Sequence, residues 1–269
     1  MKEEKILIEI PEYVSRYNES ILKKLYSVPF DVNDKNIKDY PFNKISKNYI
    51  DQLYSSVDSF VKRKVETIGM WMSGGADSSI LAYLLCKKIK EENLEINFQP
   101  LSVRRTRGWN PIYAANVIDF ICDKLKFDRM NDHIIYFPDK KNTEYIEISV
   151  FWEKNYELFK NDVIQVLFSG ITSNPPKESN LPLNKERNRD DHIIKKTFSC
   201  DSMKTFYDPF ININKKIIKK IYDDNNLTNS LFPLTRSCEG NEKDSGNFTY
   251  HCKKCWWCQE RFWAFGKYE

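Results

Sequence analysis

An α/β fold is what this sequence predicts: a parallel sheet with helices on both faces and a metal-anchored C-terminal tail. Three observations carry that expectation. The apolar run Ile68-Gly69-Met70-Trp71-Met72 meets the turn Ser73-Gly74-Gly75-Ala76-Asp77-Ser78, and Ile80, Leu81, Leu84, Leu85 and Ile89 follow at helical spacing. A buried strand, a tight glycine turn and an amphipathic helix in that order are the unit from which parallel sheets are built. From residue 65 onward strand and helix signals alternate, which is the pattern of a sheet covered on both faces. Near the end, Cys238, Cys252, Cys255 and Cys258 can tie the tail to the body through one ion.

The elements follow in order. A strand over 65–72 leads to a helix over 76–90. Residues 96–103 read as the next strand, although Pro100 argues for an end or an irregularity there. Pro111 suits the first turn of a helix carrying Ile112, Ala115, Ile118, Ile121, Cys122 and Leu125. Residues 133–137 form a short strand. Over 143–160 a helix competes with a strand, because Ile146, Ile148 and Val150 alternate. Residues 163–168 are the clearest later strand, and Ser169-Gly170-Ile171-Thr172 follows at its C-terminal end, where open sheets place ligands. Residues 172–205 are polar and proline-containing, an active-site lid or a disordered connection. A helix over 214–224 sets Lys215, Lys216, Lys219 and Lys220 against Ile217, Ile218, Ile221 and Tyr222. The lysines read as a solvated face in preference to a nucleic-acid patch. Three regions result: a helical extension 1–64, a nucleotide-binding domain 65–232, and a cysteine tail 233–269.

Size and composition narrow the class. The 269 residues suffice for a sizeable core. Hydrophobic content of 41% with 30% charged residues is that of a globular protein, which excludes a disordered chain. The formal charge of +4, from 42 basic and 38 acidic residues, is too small to call for direct nucleic-acid binding. No apolar run is long enough for a membrane helix, and the N-terminus lacks a signal-peptide core, so the cytoplasm is expected. Of the seven cysteines, Cys86 and Cys122 sit in apolar helical patterns as small hydrophobes, and Cys200 is undecided.

Two places carry chemistry. At residues 73–78 the backbone N–H groups of a glycine turn converge on the positive end of a helix, which makes an anion site. Gly74 and Gly75 have no side chains to block a phosphate. Asp77 would repel a bare phosphate unless Mg²⁺ or a polarised substrate lies between them. The plainer alternative is a small-residue turn with Ser73 as a helix cap. In the tail, four thiolates suit Zn²⁺ in a closed tetrahedral site of structural purpose, an iron–sulfur cluster being the competing metal. His251 could replace one ligand. Trp256, Trp257, Phe262, Trp263 and Phe265 read as a hydrophobic plug in preference to a stacking surface for a heterocycle.

SGGADS resembles the SGGxDS loop of the PP-loop ATP pyrophosphatases. Leu234-Thr235-Arg236-Ser237-Cys238, with Cys252-Lys253-Lys254-Cys255-Trp256-Trp257-Cys258-Gln259-Glu260-Arg261 and Ala264-Phe265-Gly266, resembles the zinc signature of the 7-cyano-7-deazaguanine synthase family. The resemblance spans about 65–266 and is dense at its two ends. It implies ATP, Mg²⁺ and Zn²⁺ as cofactors, with 7-carboxy-7-deazaguanine and ammonia as substrates. The carboxylate would be adenylated, amidated, and dehydrated to the nitrile after a second activation. Ser73, Gly74, Gly75, Ala76, Asp77 and Ser78 would hold ATP, with Ser73, Asp77 and Ser78 catalytic. Arg261 fits the arginine that follows the family's zinc cysteines and would meet a phosphate or carboxylate, or cap a helix end. Gly170 and Thr172 at the sheet's ligand edge, with Arg105 and Arg107 nearby, would meet the acceptor, the arginines reading equally as a surface loop. The segment Arg104–Asn110 departs from the family, which usually carries a Tyr-Gly-Gln-type motif there, so a ligase for another acceptor, amidating, conjugating or thiolating, stands beside the nitrile synthase. A non-catalytic nucleotide-binding module is the third reading. Self-association as a homodimer is left open.

Overall fold

The computed structural model describes residues 65–103, 110–136, 145–176, 179–181, 198–200, 205–240, 243–246 and 249–269. The extension 1–64, the arginine segment 104–107 and most of the connection 172–205 lie outside the described residues. The elements run β1 (Thr67–Trp71), α1 (Ala76–Glu91), β2 (Asn97–Val103), α2 (Asn110–Leu125), β3 (Ile134–Tyr136), α3 (Tyr145–Lys160), β4 (Val166–Ser169), β5 (Phe198–Cys200), β6 (Thr205–Tyr207), α4 (Lys215–Asp224) and α5 (Trp256–Phe265). No helix among the described residues is long and apolar enough to cross a membrane.

The six strands are ordered β3-β2-β1-β4-β6-β5. Every neighbouring pair is parallel except β5 with β6. Alternation along the strands sends side chains to both faces. Ile68, Met70, Met72, Val166 and Phe168 join α1, α2, α4 and the end of α5 in the larger core. Trp71, Leu101 and Leu167 join Leu158 and Phe159 of α3 in the smaller core opposite. Strands buried on both faces need continuous apolar runs, which is why β1 and β4 were legible in the sequence.

Three local outcomes differ from expectation or decide an ambiguity. The stretch 145–160 is helical, and Asn155, Leu158 and Phe159 are buried at the spacing of one helix face. Asn155 accepts the Trp71 indole N–H at 2.8 Å, so helix packing overrides the strand-like alternation before it. Strand β2 continues through Pro100, whose missing N–H falls where pairing to β3 has not begun: the β2–β3 ladder starts at Leu101. There the Gln99 side-chain amide donates to the Asp132 carbonyl at 2.7 Å, substituting for a backbone rung. The predicted connection 172–205 ends in β5, which pairs antiparallel with β6 at the sheet edge. Three-residue strands carry too little periodicity to be read alone.

Strand order reverses between β1 and β4, and the crevice beyond their C-terminal ends is where such sheets bind ligands. Gly170 lies there. A Cβ on it would stand 2.7 Å from the Ser78 nitrogen and 2.8 Å from the Ser78 Cα. The bare Cα of Gly170 thus admits the first turn of α1 on the side where a Cβ would stand. Gly170→Ala should force α1 away from β4 at a cost of about 1–3 kcal/mol, read as a lowered midpoint in urea unfolding. An unchanged midpoint would refute this close packing.

Candidate active site and metal centre

The turn after β1 is held by its own short side chains. Ser73 Oγ accepts the Gly75 N–H at 3.2 Å and lies 3.1 Å from Ser78 Oγ. Ser78 and Ser79 hydroxyls donate to the Gly75 carbonyl at 3.2 and 2.7 Å. Gly74 adopts φ +72°, and a Cβ there would sit 2.7 Å from the Asn110 carbonyl oxygen, so residue 74 requires glycine on both counts. The cap of α1 is Gly75, without a side-chain cap bond, which corrects the alternative that made Ser73 the cap. This leaves a glycine turn at the N-terminus of α1, with Asp77 in its first turn, at the C-terminal end of β1 and packed against α2 and the 236–237 segment.

Asp77 is joined to a residue that the sequence analysis placed elsewhere. Lys215 is 1% exposed and does not belong to a solvated face. Its Nζ lies 3.1 Å from Asp77 Oδ2 and 2.8 Å from Glu260 Oε2, and Glu260 is fully buried. The signal was present: Lys215, Ile218 and Tyr222 share the spacing i, i+3, i+7, the same helix face. Asn214 caps α4 by accepting the Lys216 N–H at 3.0 Å, which sets where that face begins. Asp77 Oδ1 is buried without a hydrogen-bond partner among the described residues. An orphaned carboxylate oxygen beside an anion nest fits a divalent cation carried by a polyphosphate.

Thr172 is fully buried, with its Oγ1 unpartnered among the described residues. Arg105 and Arg107 lie outside the described residues. Arg261 is fully buried, and its donors are committed to the protein. Its Nε donates to the Tyr268 carbonyl at 2.6 Å, Nη1 to Thr235 Oγ1 at 2.9 Å, and Nη2 to the Phe232 and Thr235 carbonyls, both at 3.1 Å. The guanidinium also stacks 3.8 Å from the Phe232 ring centroid. Burial pulls its pKa down to about 10, so it stays charged at neutral pH. Arg261 is therefore a clamp between α5 and the 232–237 segment. Arg236, on that same segment, donates its backbone N–H to the Gly74 carbonyl at 2.7 Å and its Nη2 to the Tyr250 carbonyl. The tail is thus tied to the glycine turn through the residues just before Cys238 and Cys252.

The Sγ atoms of Cys238, Cys252, Cys255 and Cys258 lie within 4.8 Å of one another. A tetrahedral ion with bonds of about 2.3 Å spaces its thiolates by about 3.8 Å, and Cys252 and Cys258 are 3.9 Å apart. A 4Fe–4S cluster puts each thiolate on its own iron and a 2Fe–2S cluster puts two on each of two irons, and both splay the full set of four wider, so the spacing favours a single ion such as Zn²⁺. The backbone N–H groups of Gly240 and Cys252 point at Cys238 Sγ, and that of Cys255 at Cys252 Sγ, each at 3.3 Å, as thiolates require. Hydrogen bonds from Cys255 and Cys258 draw the Cys238 thiol far below its usual range, while Cys255 is pushed up to about 12 and Cys258 is raised as well. Cys238, Cys255 and Cys258 thus compete for one charge, and a bound cation would let all three ionise. His251 is buried, and desolvation with the nearby Arg261 lowers it to about 3. Its ring is tilted against that of Tyr268 at 5.9 Å, and it is not needed to complete the set. Of the aromatic tail, Phe265 stacks on Phe232 at 4.0 Å within the core, whereas Phe262 is 48% exposed, so only part of it is a plug.

The fold is a parallel sheet flanked by helices, PP-loop-like in its strand–SGGADS–helix unit, with four cysteines poised to chelate a metal. No protein-family model matches the chain, and no curated protein matches it in sequence. Among solved structures it is similar to the U34-tRNA thiolase NcsA of Methanococcus maripaludis with its 4Fe–4S cluster, at 11% identity over 78% of this chain and 66% of that one, with a TM-score of 0.40. It is similar to an FMN adenylyltransferase of Candida glabrata in complex with FMN and an ATP analogue, at 12% identity over 76% and 65%, with a TM-score of 0.35. It is similar to an NAD⁺ synthetase of Burkholderia pseudomallei, at 12% identity over 95% and 91%, with a TM-score of 0.42. The chain spans about two thirds of the thiolase and of the adenylyltransferase. All three are loose likenesses, below the level at which a common overall structure follows.

Two expectations follow. Protein purified without oxygen should contain about one zinc per chain and no iron, and Cys255→Ser should lower zinc content and solubility together, because binding energy at such a site is folding energy. Stoichiometric iron and sulfide would replace the single ion by a cluster. For Arg261→Lys, each buried carbonyl left without a donor costs about 1–3 kcal/mol, so urea unfolding should show a loss of at least that size. A variant of parental stability with a raised KM for acceptor would restore the substrate-contact role.

Proposed function

We propose that the chain is an ATP-dependent enzyme that adenylates an oxyanion-bearing acceptor and releases pyrophosphate. The observation that carries this is the glycine turn at residues 73–78, pinned by Gly74 at φ +72° and opening onto the switch point between β1 and β4. Its N–H groups and the α1 terminus are placed to receive the β- and γ-phosphates. An acceptor oxygen attacks the α-phosphorus, and the bond to the bridging oxygen breaks to free pyrophosphate. Adenylation supplies a leaving group to a carboxylate that is otherwise a poor electrophile, and an amine then displaces AMP. The turn's contribution is position: the acceptor oxygen is held in line with the α-phosphate in place of diffusing to it. Asp77, through its orphaned oxygen, is the residue that would hold Mg²⁺. Magnesium, when bound, would spread the charge of the departing pyrophosphate.

The narrower reading is that the acceptor is 7-carboxy-7-deazaguanine, ammonia the amine and the nitrile the product. It is supported by the resemblance of SGGADS, and of the four cysteines followed by Arg261, to that family's motifs. The departure at Arg104–Asn110 favours the broader form, a ligase joining a carboxylate to a different amine. Zn²⁺ in the tail would be structural in either case. The deciding experiment is product mass after incubation with ATP, Mg²⁺, ammonia and a panel of carboxylates, with pyrophosphate release followed in parallel. Asp77→Asn should reduce pyrophosphate release at least about a hundredfold while the protein stays folded, since Lys215 retains Glu260. Pyrophosphate release at the parental rate would remove Asp77 from the chemistry. Absence of release with every acceptor, with nucleotide bound, would leave a nucleotide-binding module.

A further inference from the structure

The buried ammonium of Lys215 is shared by two carboxylates from opposite parts of the chain. Asp77 comes from the first turn of α1 and Glu260 from α5. Glu260 stands between the fourth cysteine, Cys258, and the clamp Arg261 on a helix whose cap is Cys255, so its backbone is fixed on both sides. One ammonium against two carboxylates leaves the trio with one formal negative charge, and the buried Arg261 guanidinium lies within electrostatic reach of Asp77. That sum is informative. If Lys215 belonged to Asp77 alone, the pair would be neutral and the carboxylate would be withheld from any other cation. With Glu260 present, Lys215 has compensation that does not depend on Asp77.

We propose that Glu260 is a positioning residue: it retains Lys215 so that Asp77 remains available to the divalent cation that accompanies the nucleotide. The proposal rests on the ATP reading above. It deepens that reading by giving a role to a charge outside the glycine turn. Asp77 has one oxygen on Lys215 and a second with no partner among the described residues, the arrangement of a carboxylate that is held without being saturated. Removing the charge at 260 commits Lys215 to Asp77, and a cation must then compete with a desolvated ammonium at about 3 Å.

The test is the Mg²⁺ concentration that half-saturates binding of a non-hydrolysable ATP analogue, measured by calorimetry on zinc-loaded protein. In Glu260→Gln, which keeps size and a hydrogen-bonding oxygen, the half-saturating Mg²⁺ should rise about tenfold or more, with zinc still bound. A merely structural Glu260 would not move that value. A Mg²⁺ requirement equal to the parent's overturns the proposal. Lys215→Met with Glu260→Leu replaces the buried pair by apolar groups of similar size and frees Asp77, so its half-saturating Mg²⁺ should fall below the parent's. A value at or above the parent's also overturns the proposal, and this double variant decides the matter alone where Glu260→Gln does not fold. A parent that binds no analogue with Mg²⁺ present rejects the ATP reading and this inference with it. A parent that binds, with both variants unmoved, rejects the inference alone.

Discussion

A buried ammonium must be compensated where it lies, and at Lys215 that requirement joins three elements distant in sequence. Lys215 begins α4, Asp77 begins α1, and Glu260 lies in α5. Leaving one charge of such a set unpaired costs about 3–5 kcal/mol, so the three helices are held to one arrangement by electrostatics as well as by packing. The apolar contacts agree with it. Tyr222, two turns beyond Lys215, packs edge-on against Phe232 and Phe265, and its hydroxyl donates to the Ala76 carbonyl at 2.8 Å. The glycine turn is thus supported from below by a polar and an aromatic layer that both reach the tail.

The metal centre gains its meaning from the same geometry. Four thiolates alone would stabilise only their own loop. Here the segment leading to Cys238 runs past the glycine turn, where Arg236 bonds Gly74, and it is gripped from the other side by Arg261. A metal at the cysteines closes a ring of covalent chain and buried hydrogen bonds around Arg236, Arg261 and Glu260. Rigid support of this kind is what the adenylation proposed above would need, because a displacement of the turn relative to an acceptor would be felt directly in the rate.

How much of this the sequence shows depends on the range of the forces involved. The β1–turn–α1 unit and the four cysteines are local patterns, and their residues lie where the sequence placed them. Helix α4 was legible, but its lysines were read by type, and type misleads for Lys215, which shares a face with Ile218 and Tyr222. Arg261 was read by chemistry as an anion contact. Its actual partners are backbone carbonyls at 232 and 235, which no spacing rule reveals. Gly170 was assigned to ligand approach, yet the approaching atoms belong to Ser78. In each case the missing information is which distant segment comes to lie opposite the residue.

That pattern of errors has a physical cause that bears on function. Charged residues are placed outside by default because an exposed charge costs nothing to hydrate. The departures from that default among the described residues, Lys215, Glu260, Arg236 and Arg261, all lie between the cysteines and the glycine turn. A chain bears the desolvation of several charges along one line where position matters more than stability, since apolar residues of similar volume would often hold the fold as well. The candidate site is therefore defined less by the glycine turn itself than by the buried charges that keep the turn, Asp77 and the cysteine-bearing helix in register.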